Sequence, residues 1–214
     1  MTPVLLTLRI ALLASISVLP LTAVPTAVAE PCPDVDIAFA RGSNEPAGLG
    51  GTGQTFVNAL TSDIGGAKTV TVYPVNYPAT MDYPSALAGE ADAANHVREM
   101  AARCPGTKMV LGGFSQGAGV MALLTANGAT AGPAVADRVA AVALFGKPSA
   151  NLLNSMQIPP LVIGPLYANK TIDLCNDGDP VCSGEVGSNN VITHLLYGVN
   201  GMVSQAADFA ARRV

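Results

Sequence analysis

Short apolar runs alternate along this chain with longer segments of helical periodicity, and this alternation limits the fold more than any other feature of the sequence. The apolar runs occupy residues 35–40, 69–75, 107–112, 139–145 and 160–163. Helical patterns occupy residues 52–64, 85–103, 115–127 and 200–213. Strands that alternate with helices in this way predict right-handed βαβ units around a parallel sheet. We therefore predict a three-layer α/β/α sandwich with a central sheet of five parallel strands.

The first 29 residues predict a secretory signal peptide. Arg9 is the only charged side chain among them, and Ala-Val-Ala at residues 27–29 is a small-residue cleavage site. A membrane anchor is the alternative, but two prolines interrupt the uncharged stretch. We therefore expect a single mature domain over residues 30–214 that is secreted to the extracellular space and can associate with the cell envelope.

The charge balance excludes a broad class of functions. The chain has 11 Lys and Arg residues against 15 Asp and Glu residues, and its formal net charge is -4. A nucleic-acid binder needs a basic surface that displaces counterions from phosphates. We therefore expect no nucleic-acid partner.

Four cysteines lie in the predicted mature domain: Cys32, Cys104, Cys175 and Cys182. In an oxidising compartment, an even number of cysteines predicts disulfides, here two. A zinc site is disfavoured because the chain has no C-x-x-C pair and only two histidines, and we expect neither metal nor cofactor. The cysteines can pair in three ways. Pairing Cys32 with Cys104 and Cys175 with Cys182 is favoured, because the second pair closes a short loop that contains Gly and Pro.

A G-x-S-x-G motif at residues 113–117 lies where the third predicted strand meets a predicted helix. This context is that of a nucleophile elbow. The serine of an elbow occupies a strained turn, and the flanking glycines let strand and helix approach without a Cβ clash. We therefore predict that Ser115 is a nucleophile.

A serine nucleophile needs a base, and histidine is the usual one at neutral pH. His96 falls within a predicted helix before the elbow, and we interpret it as a structural residue. His194 follows Ser115 in the chain, as the base follows the nucleophile in α/β-hydrolases. We therefore predict that His194 is the base.

The third member of such a site is a carboxylate that orients the imidazole. The acidic residues between the predicted nucleophile and base are Asp137, Asp173, Asp177, Asp179 and Glu185. Asp177 and Asp179 lie inside the loop between Cys175 and Cys182, which a disulfide could hold near His194. Spacing alone does not choose between them. Asp179 is preferred because Asp177, in Asn-Asp-Gly, is typical of a turn, and Asp177 is kept in reserve.

Four segments of the mature chain together resemble the cutinase family of α/β-hydrolases, in particular its secreted mycobacterial and actinobacterial members. The segments are ARGSNE at residues 40–45, GFSQG at 113–117, GDPVC at 178–182 and HLLYG at 194–198. The resemblance implies a minimal α/β-hydrolase fold and the disulfide pairing favoured above.

The resemblance also assigns roles to individual residues. It implies a catalytic triad of Ser115, Asp179 and His194. It implies an oxyanion hole made by the backbone N–H groups of Ser43 and Gln116, with the Ser43 hydroxyl as a third donor. We interpret Arg41 and Glu45, in the same loop as Ser43, as a structural ion pair.

The function implied is that of a monomeric serine carboxylester hydrolase that cleaves lipid or small acyl esters through an acyl-enzyme. An acyltransferase, a phospholipase or a thioesterase could use the same triad, and an inactive lipid-binding surface protein is a further alternative. Residues 77–84 and 183–190 mix apolar with small polar side chains, and we expect them to border an exposed groove for the acyl chain.

Overall fold

The centre of the fold is a sheet of five parallel strands in the order β2-β1-β3-β4-β5. The computed structural model describes residues 31–127, 132–184 and 190–214, and the predicted leader at 1–29 lies outside them. The strands are β1 (Val35–Ala40), β2 (Val70–Pro74), β3 (Lys108–Phe114), β4 (Val139–Phe145) and β5 (Thr171–Leu174). The predicted fold class is confirmed.

Helices cover both faces of this sheet. On one face lie α1 (Gly50–Ile64) and α7 (Met202–Ala211), and on the other lie α2 (Tyr83–Arg103) and α3 (Gln116–Ala126). In the part of the chain that the structure describes, three shorter helices that the sequence analysis missed lie in the connections: α4 (Pro133–Ala136), α5 (Ala150–Ser155) and α6 (Val191–Leu195). None of the helices in the described ranges has the length and apolar character needed to span a bilayer.

Strand β1 shows why the apolar runs are continuous rather than alternating. All six of its residues are buried. Ile37 and Phe39 pack on the side of α1 and α7, whereas Ala38 and Ala40 pack on the side of α2 and α3. Side chains of a strand point alternately to its two faces. A strand covered by helices on both faces is therefore apolar at nearly every position.

The predicted fifth strand at residues 160–163 is wrong. That segment has no regular secondary structure, and the fifth strand is instead β5, which pairs with β4 from Val142 opposite Thr171 to Phe145 opposite Leu174. Pro159 and Pro160 lack the N–H groups that a strand ladder needs. Strand β5 is short and half polar, and its place at the sheet edge depends on contacts with β4.

Both disulfides join the pairs favoured by the sequence. Their Cα atoms are 5.5 Å apart in Cys32–Cys104 and 5.7 Å apart in Cys175–Cys182. The first bridge ties the segment before β1 to the end of α2. The second closes the loop that follows β5.

Candidate active site

The G-x-S-x-G motif forms a strained turn between β3 and α3. Ser115 adopts φ 55° and ψ -121°, a conformation that residues other than glycine rarely adopt. A Cβ atom on Gly113 would lie 2.2 Å from the carbonyl oxygen of Gly117, and one on Gly117 would lie 2.0 Å from that of Ala40. Both neighbours are backbone atoms and cannot rotate away. Only glycine at both positions therefore allows this turn.

His194 lies on α6 beside the turn, and its ring stacks on Phe114 with the ring centroids 4.8 Å apart. Its Nδ1 atom is 2.7 Å from Oδ2 of Asp179. Because an ionised carboxylate only accepts hydrogen bonds, Nδ1 carries the proton and Nε2 of the neutral ring keeps a lone pair. Nε2 is buried and has no hydrogen-bond partner among the described residues, so in this conformation it is not bonded to Ser115.

Glycine at position 146, directly after β4, makes room for this imidazole. A Cβ atom there would lie 2.8 Å from Cε1 of His194 and 3.1 Å from Oδ2 of Asp179. Gly146 also has φ +59°, which disfavours a side chain independently. The sequence analysis did not identify Gly146, because its neighbours come from distant parts of the chain.

The carboxylate of Asp179 is fully buried and accepts three hydrogen bonds. Oδ1 accepts from the Val181 N–H at 2.8 Å, and Oδ2 accepts from the Tyr197 hydroxyl at 2.6 Å in addition to His194. Burial alone would raise the pKa of Asp179, but the hydrogen bonds from His194, Tyr197 and the Val181 N–H together outweigh it and hold the pKa below its usual value. Asp179 is therefore a carboxylate at neutral pH.

The other acidic candidates are placed differently. Asp177 is exposed, Asp173 lies 3.3 Å from Nζ of Lys147, and Asp137 ends α4. Glu185 lies outside the described residues. Of the two loop carboxylates left open by the spacing, it is thus Asp179 that contacts His194.

Tyr197 is a member of this cluster that the sequence analysis missed. It is fully buried, and its hydroxyl accepts a hydrogen bond from the Asn176 N–H at 2.9 Å while it donates to Asp179. Its ring is nearly perpendicular to that of His194, with the centroids 6.2 Å apart. Burial, together with the hydrogen bond to Asp179, raises the pKa of Tyr197. The available signal was its position three residues after His194, on the same side of a helical turn.

His96 lies at the opposite end of the sheet. Its Nε2 atom is 2.7 Å from Oδ2 of Asp36, a buried residue at the amino end of β1. The elbow follows the carboxyl end of β3, which runs parallel to β1. Geometry therefore agrees with the interpretation of His96 as a structural residue.

Ser43 and Gln116 line the same cavity as Ser115. Neither backbone N–H has an acceptor within the described parts of the chain. Gln116 is the first residue of α3, where N–H groups have no intrahelical partner. Both N–H groups are thus unpaired among the described residues.

The loop that carries Ser43 is fixed by its two charged residues, although they do not form the predicted ion pair. The Glu45 carboxylate accepts from the N–H groups of Gly42 at 2.6 Å and Gly51 at 2.8 Å. The Arg41 guanidinium donates to the backbone carbonyls of Glu45 at 2.9 Å and Tyr77 at 2.7 Å. The predicted ion pair was wrong because Arg41 and Glu45 instead form hydrogen bonds with backbone carbonyl and N–H groups.

The cavity beside Ser115 has a volume of about 150 Å³. Met81 and Tyr83, from the rim predicted at residues 77–84, form one side of it. The second predicted rim, at 183–190, lies partly outside the described residues. The sequence analysis missed another wall, formed by apolar residues between 148 and 161. Within the described ranges, no group of three metal-ligating side chains could hold a metal ion.

A parallel sheet covered by helices on both faces, with an elbow serine after its central strand, is the architecture of the α/β-hydrolases. A family model described as Cutinase matches residues 31–214. The chain therefore belongs to the cutinase family, which confirms the resemblance found in the sequence.

Individual relatives agree with this family. The chain is 48% identical over 191 residues to Carboxylesterase Culp1 of Mycobacterium tuberculosis, covering 87% of this chain and 84% of the relative. It is 44% identical over 190 residues to Phospholipase Culp4 of the same organism, covering 86% and 80%. A solved structure of Trichoderma reesei cutinase in complex with a C11Y4 phosphonate inhibitor is 31% identical, with a TM-score of 0.66 and coverage of 85% of this chain and 77% of that chain.

Proposed function

We propose that this chain, a carboxylesterase of the cutinase family, hydrolyses acyl esters through an acyl-enzyme formed on Ser115, with His194 as the base and Asp179 as its carboxylate partner. The observation that carries the proposal is the contact of 2.7 Å between His194 and Asp179. This contact holds the unpartnered Nε2 atom of His194 beside the elbow. Such a ring can take a proton from a serine hydroxyl.

In the first half of the reaction, Nε2 of His194 accepts the proton of the Ser115 hydroxyl while Oγ attacks the ester carbonyl carbon. Nε2 comes within hydrogen-bond reach of Oγ when substrate binds, as is common in hydrolases. The carbonyl oxygen becomes an oxyanion and accepts hydrogen bonds from the N–H groups of Ser43 and Gln116. Asp179 stays ionised and stabilises the imidazolium.

Collapse of the tetrahedral intermediate breaks the bond to the leaving oxygen, which takes the proton from His194 and departs as an alcohol. In the second half, His194 takes a proton from water, and the hydroxide attacks the acyl-enzyme. A carboxylic acid leaves and Ser115 regains its proton. Each N–H donor of the oxyanion hole contributes about 3 kcal/mol to such steps.

The substrates proposed are lipid or small acyl esters. The cavity beside Ser115 is mostly apolar, and the relatives described above are a carboxylesterase and a phospholipase. Val191, Ile192 and Leu195 on α6 are each at least 58% exposed around His194. An apolar surface beside the site supports transient contact of a secreted enzyme with envelope lipids. If the leader is cleaved as proposed, the mature protein collected from the culture medium begins at Glu30.

Substitution Ser115→Ala tests the assignment. We expect kcat for p-nitrophenyl ester hydrolysis to fall by at least about 10³-fold, since loss of an elbow serine removes the acyl-enzyme route. A fluorophosphonate probe should label the wild-type protein but not this variant. Ser62→Ala, at an exposed position on α1, is the control and should keep full activity.

Two results would count against the proposal. Undiminished hydrolysis or labelling in Ser115→Ala would remove Ser115 as nucleophile. Product analysis with added glycerol separates hydrolysis from acyl transfer, and acyl glycerol as the main product would assign the enzyme to the acyltransferases.

A further inference from the structure

We propose that Gly119 and Leu161 together set the length of acyl chain that this enzyme accepts. The inference rests on the proposed function, because it places the ester carbonyl at Ser115. It concerns the wall of the cavity that lies beyond the reacting atoms.

The cavity follows one face of α3. Gln116, Gly119 and Leu123 all line it, and residues at this spacing lie on the same side of a helix. With a helical rise of 1.5 Å per residue, Gly119 lies about 6 Å from Ser115 along the axis and Leu123 about 12 Å. An acyl chain that starts at Ser115 and enters the cavity therefore reaches the level of Gly119 before that of Leu123.

At Gly119, the opposite wall packs directly on the helix. A Cβ atom on Gly119 would lie 3.2 Å from Cδ1 of Leu161 and 4.0 Å from Cδ of Pro148, and both of these residues also line the cavity. Gly119 does not have a positive φ, so its backbone would accept alanine. Within a helix, alanine is favoured over glycine. The space around residue 119, rather than its backbone conformation, is therefore what a side chain would disturb.

The distances convert into carbon atoms. An extended polypeptide advances by about 3.3–3.6 Å per residue, which is three backbone bonds. An extended acyl chain therefore advances by about 1.2 Å per bond. The level of Gly119 and Leu161 is thus that of about the fifth or sixth acyl carbon. A protein cavity of about 150 Å³ can hold benzene, which has six carbons, and the cavity here is about 150 Å³. Both measures indicate acyl chains of about six carbons.

Two substitutions should move this limit in opposite directions. In Gly119→Ala, either the new methyl group or the displaced tip of Leu161 occupies part of the cavity. We therefore expect kcat/KM for hexanoyl and longer esters to fall by about tenfold or more relative to the acetyl ester. This is the size of effect that one methylene group produces in a tight pocket. Leu161→Ala removes three carbons from the wall and should move the preferred chain length upward by about three carbons. The double variant should return toward the wild-type profile.

The assay is kcat/KM on p-nitrophenyl esters from acetate to dodecanoate. Because acetate does not reach residue 119, kcat/KM for each longer ester is expressed as a ratio to that for acetate in the same variant. Gly106→Ala is the matched control, since a Cβ atom there meets no atom within 4 Å, and its profile should equal that of the wild type.

The outcomes separate this inference from the proposed function. Profiles that shift oppositely in the two single variants support the inference. Unchanged or parallel profiles in Gly119→Ala and Leu161→Ala overturn it, while loss of acetate hydrolysis in Ser115→Ala would still support the proposed function. Acetate hydrolysis that survives Ser115→Ala would overturn both.

Discussion

Removal of one oxygen atom, by Tyr197→Phe, tests how the carboxylate of Asp179 is held. The phenylalanine ring keeps the contacts of the tyrosine ring with His194 and Phe145. The variant loses the hydroxyl, which donates a hydrogen bond to Asp179 at 2.6 Å and accepts one from the Asn176 N–H at 2.9 Å. A hydrogen bond to a charged group contributes about 1.5–3 kcal/mol and one between neutral groups about 0.5–1.5 kcal/mol.

The expected destabilisation of Tyr197→Phe is therefore about 2–4.5 kcal/mol. In a domain of this size, this lowers Tm by about 4–18 °C, which calorimetry measures directly. Without the Tyr197 hydroxyl, the Asp179 carboxylate is held by fewer hydrogen bonds and orients His194 less firmly. We therefore expect kcat to fall as well, by at most about 100-fold if the whole charged hydrogen bond acts in the transition state. KM should stay unchanged because Tyr197 is not among the residues that line the cavity.

The same variant should unfold at higher pH in acid titrations. The folded pKa of Asp179 is held below its unfolded value, partly by Tyr197. Its stabilising effect is therefore present above about pH 4 and is lost as the pH falls through the folded pKa. Without the Tyr197 hydroxyl the folded pKa rises, the effect at neutral pH shrinks, and the acid midpoint followed by circular dichroism moves upward.

Tyr73→Phe is the matched control for Tyr197→Phe. Tyr73 lies on strand β2 at the edge of the sheet. Its hydroxyl donates a hydrogen bond to Asp92 at 2.9 Å. This control also removes a bond to a carboxylate and should lower Tm without changing kcat. Equal kcat in Tyr197→Phe and the wild type, or an equal loss in both variants, would refute the reasoning.

The elbow and the loop that carries Ser43 give two further predictions. Gly117→Ala should cost about 3 kcal/mol or more and reduce the soluble yield, because its Cβ would lie 2.0 Å from the Ala40 carbonyl oxygen; a Tm within a degree of wild type would contradict the elbow geometry. Glu45→Gln should lower kcat by about tenfold and reduce Tm, since one amide oxygen cannot accept from both Gly42 and Gly51. In steady-state assays, a KM effect with unchanged kcat would instead assign Glu45 to substrate binding.

Local features of this protein could be predicted from the sequence. The bounds of β1 and β4 were predicted without error, and the elbow at Ser115 was found between its strand and helix. The signals for both are local in the sequence: a continuous apolar run marks a strand buried on both faces, and the two elbow glycines lie only four residues apart. The catalytic roles of Ser115, Asp179 and His194 stay predictions for the experiments above.

Other features follow only from the tertiary structure. Neighbours many residues away in the chain decide the position of β5 and the apolar wall at residues 148–161. They also decide the contacts of Gly146 with His194 and of Tyr197 with Asp179. A strand as short and polar as β5 becomes a strand because β4 offers it a free edge. Likewise, the Tyr197 hydroxyl gains its partner only when the disulfide loop and α6 pack together. The sequence by itself determined four of the five strands and the elbow. Folding decided the fifth strand and which side chains meet, because contacts across the chain depend on packing rather than on spacing.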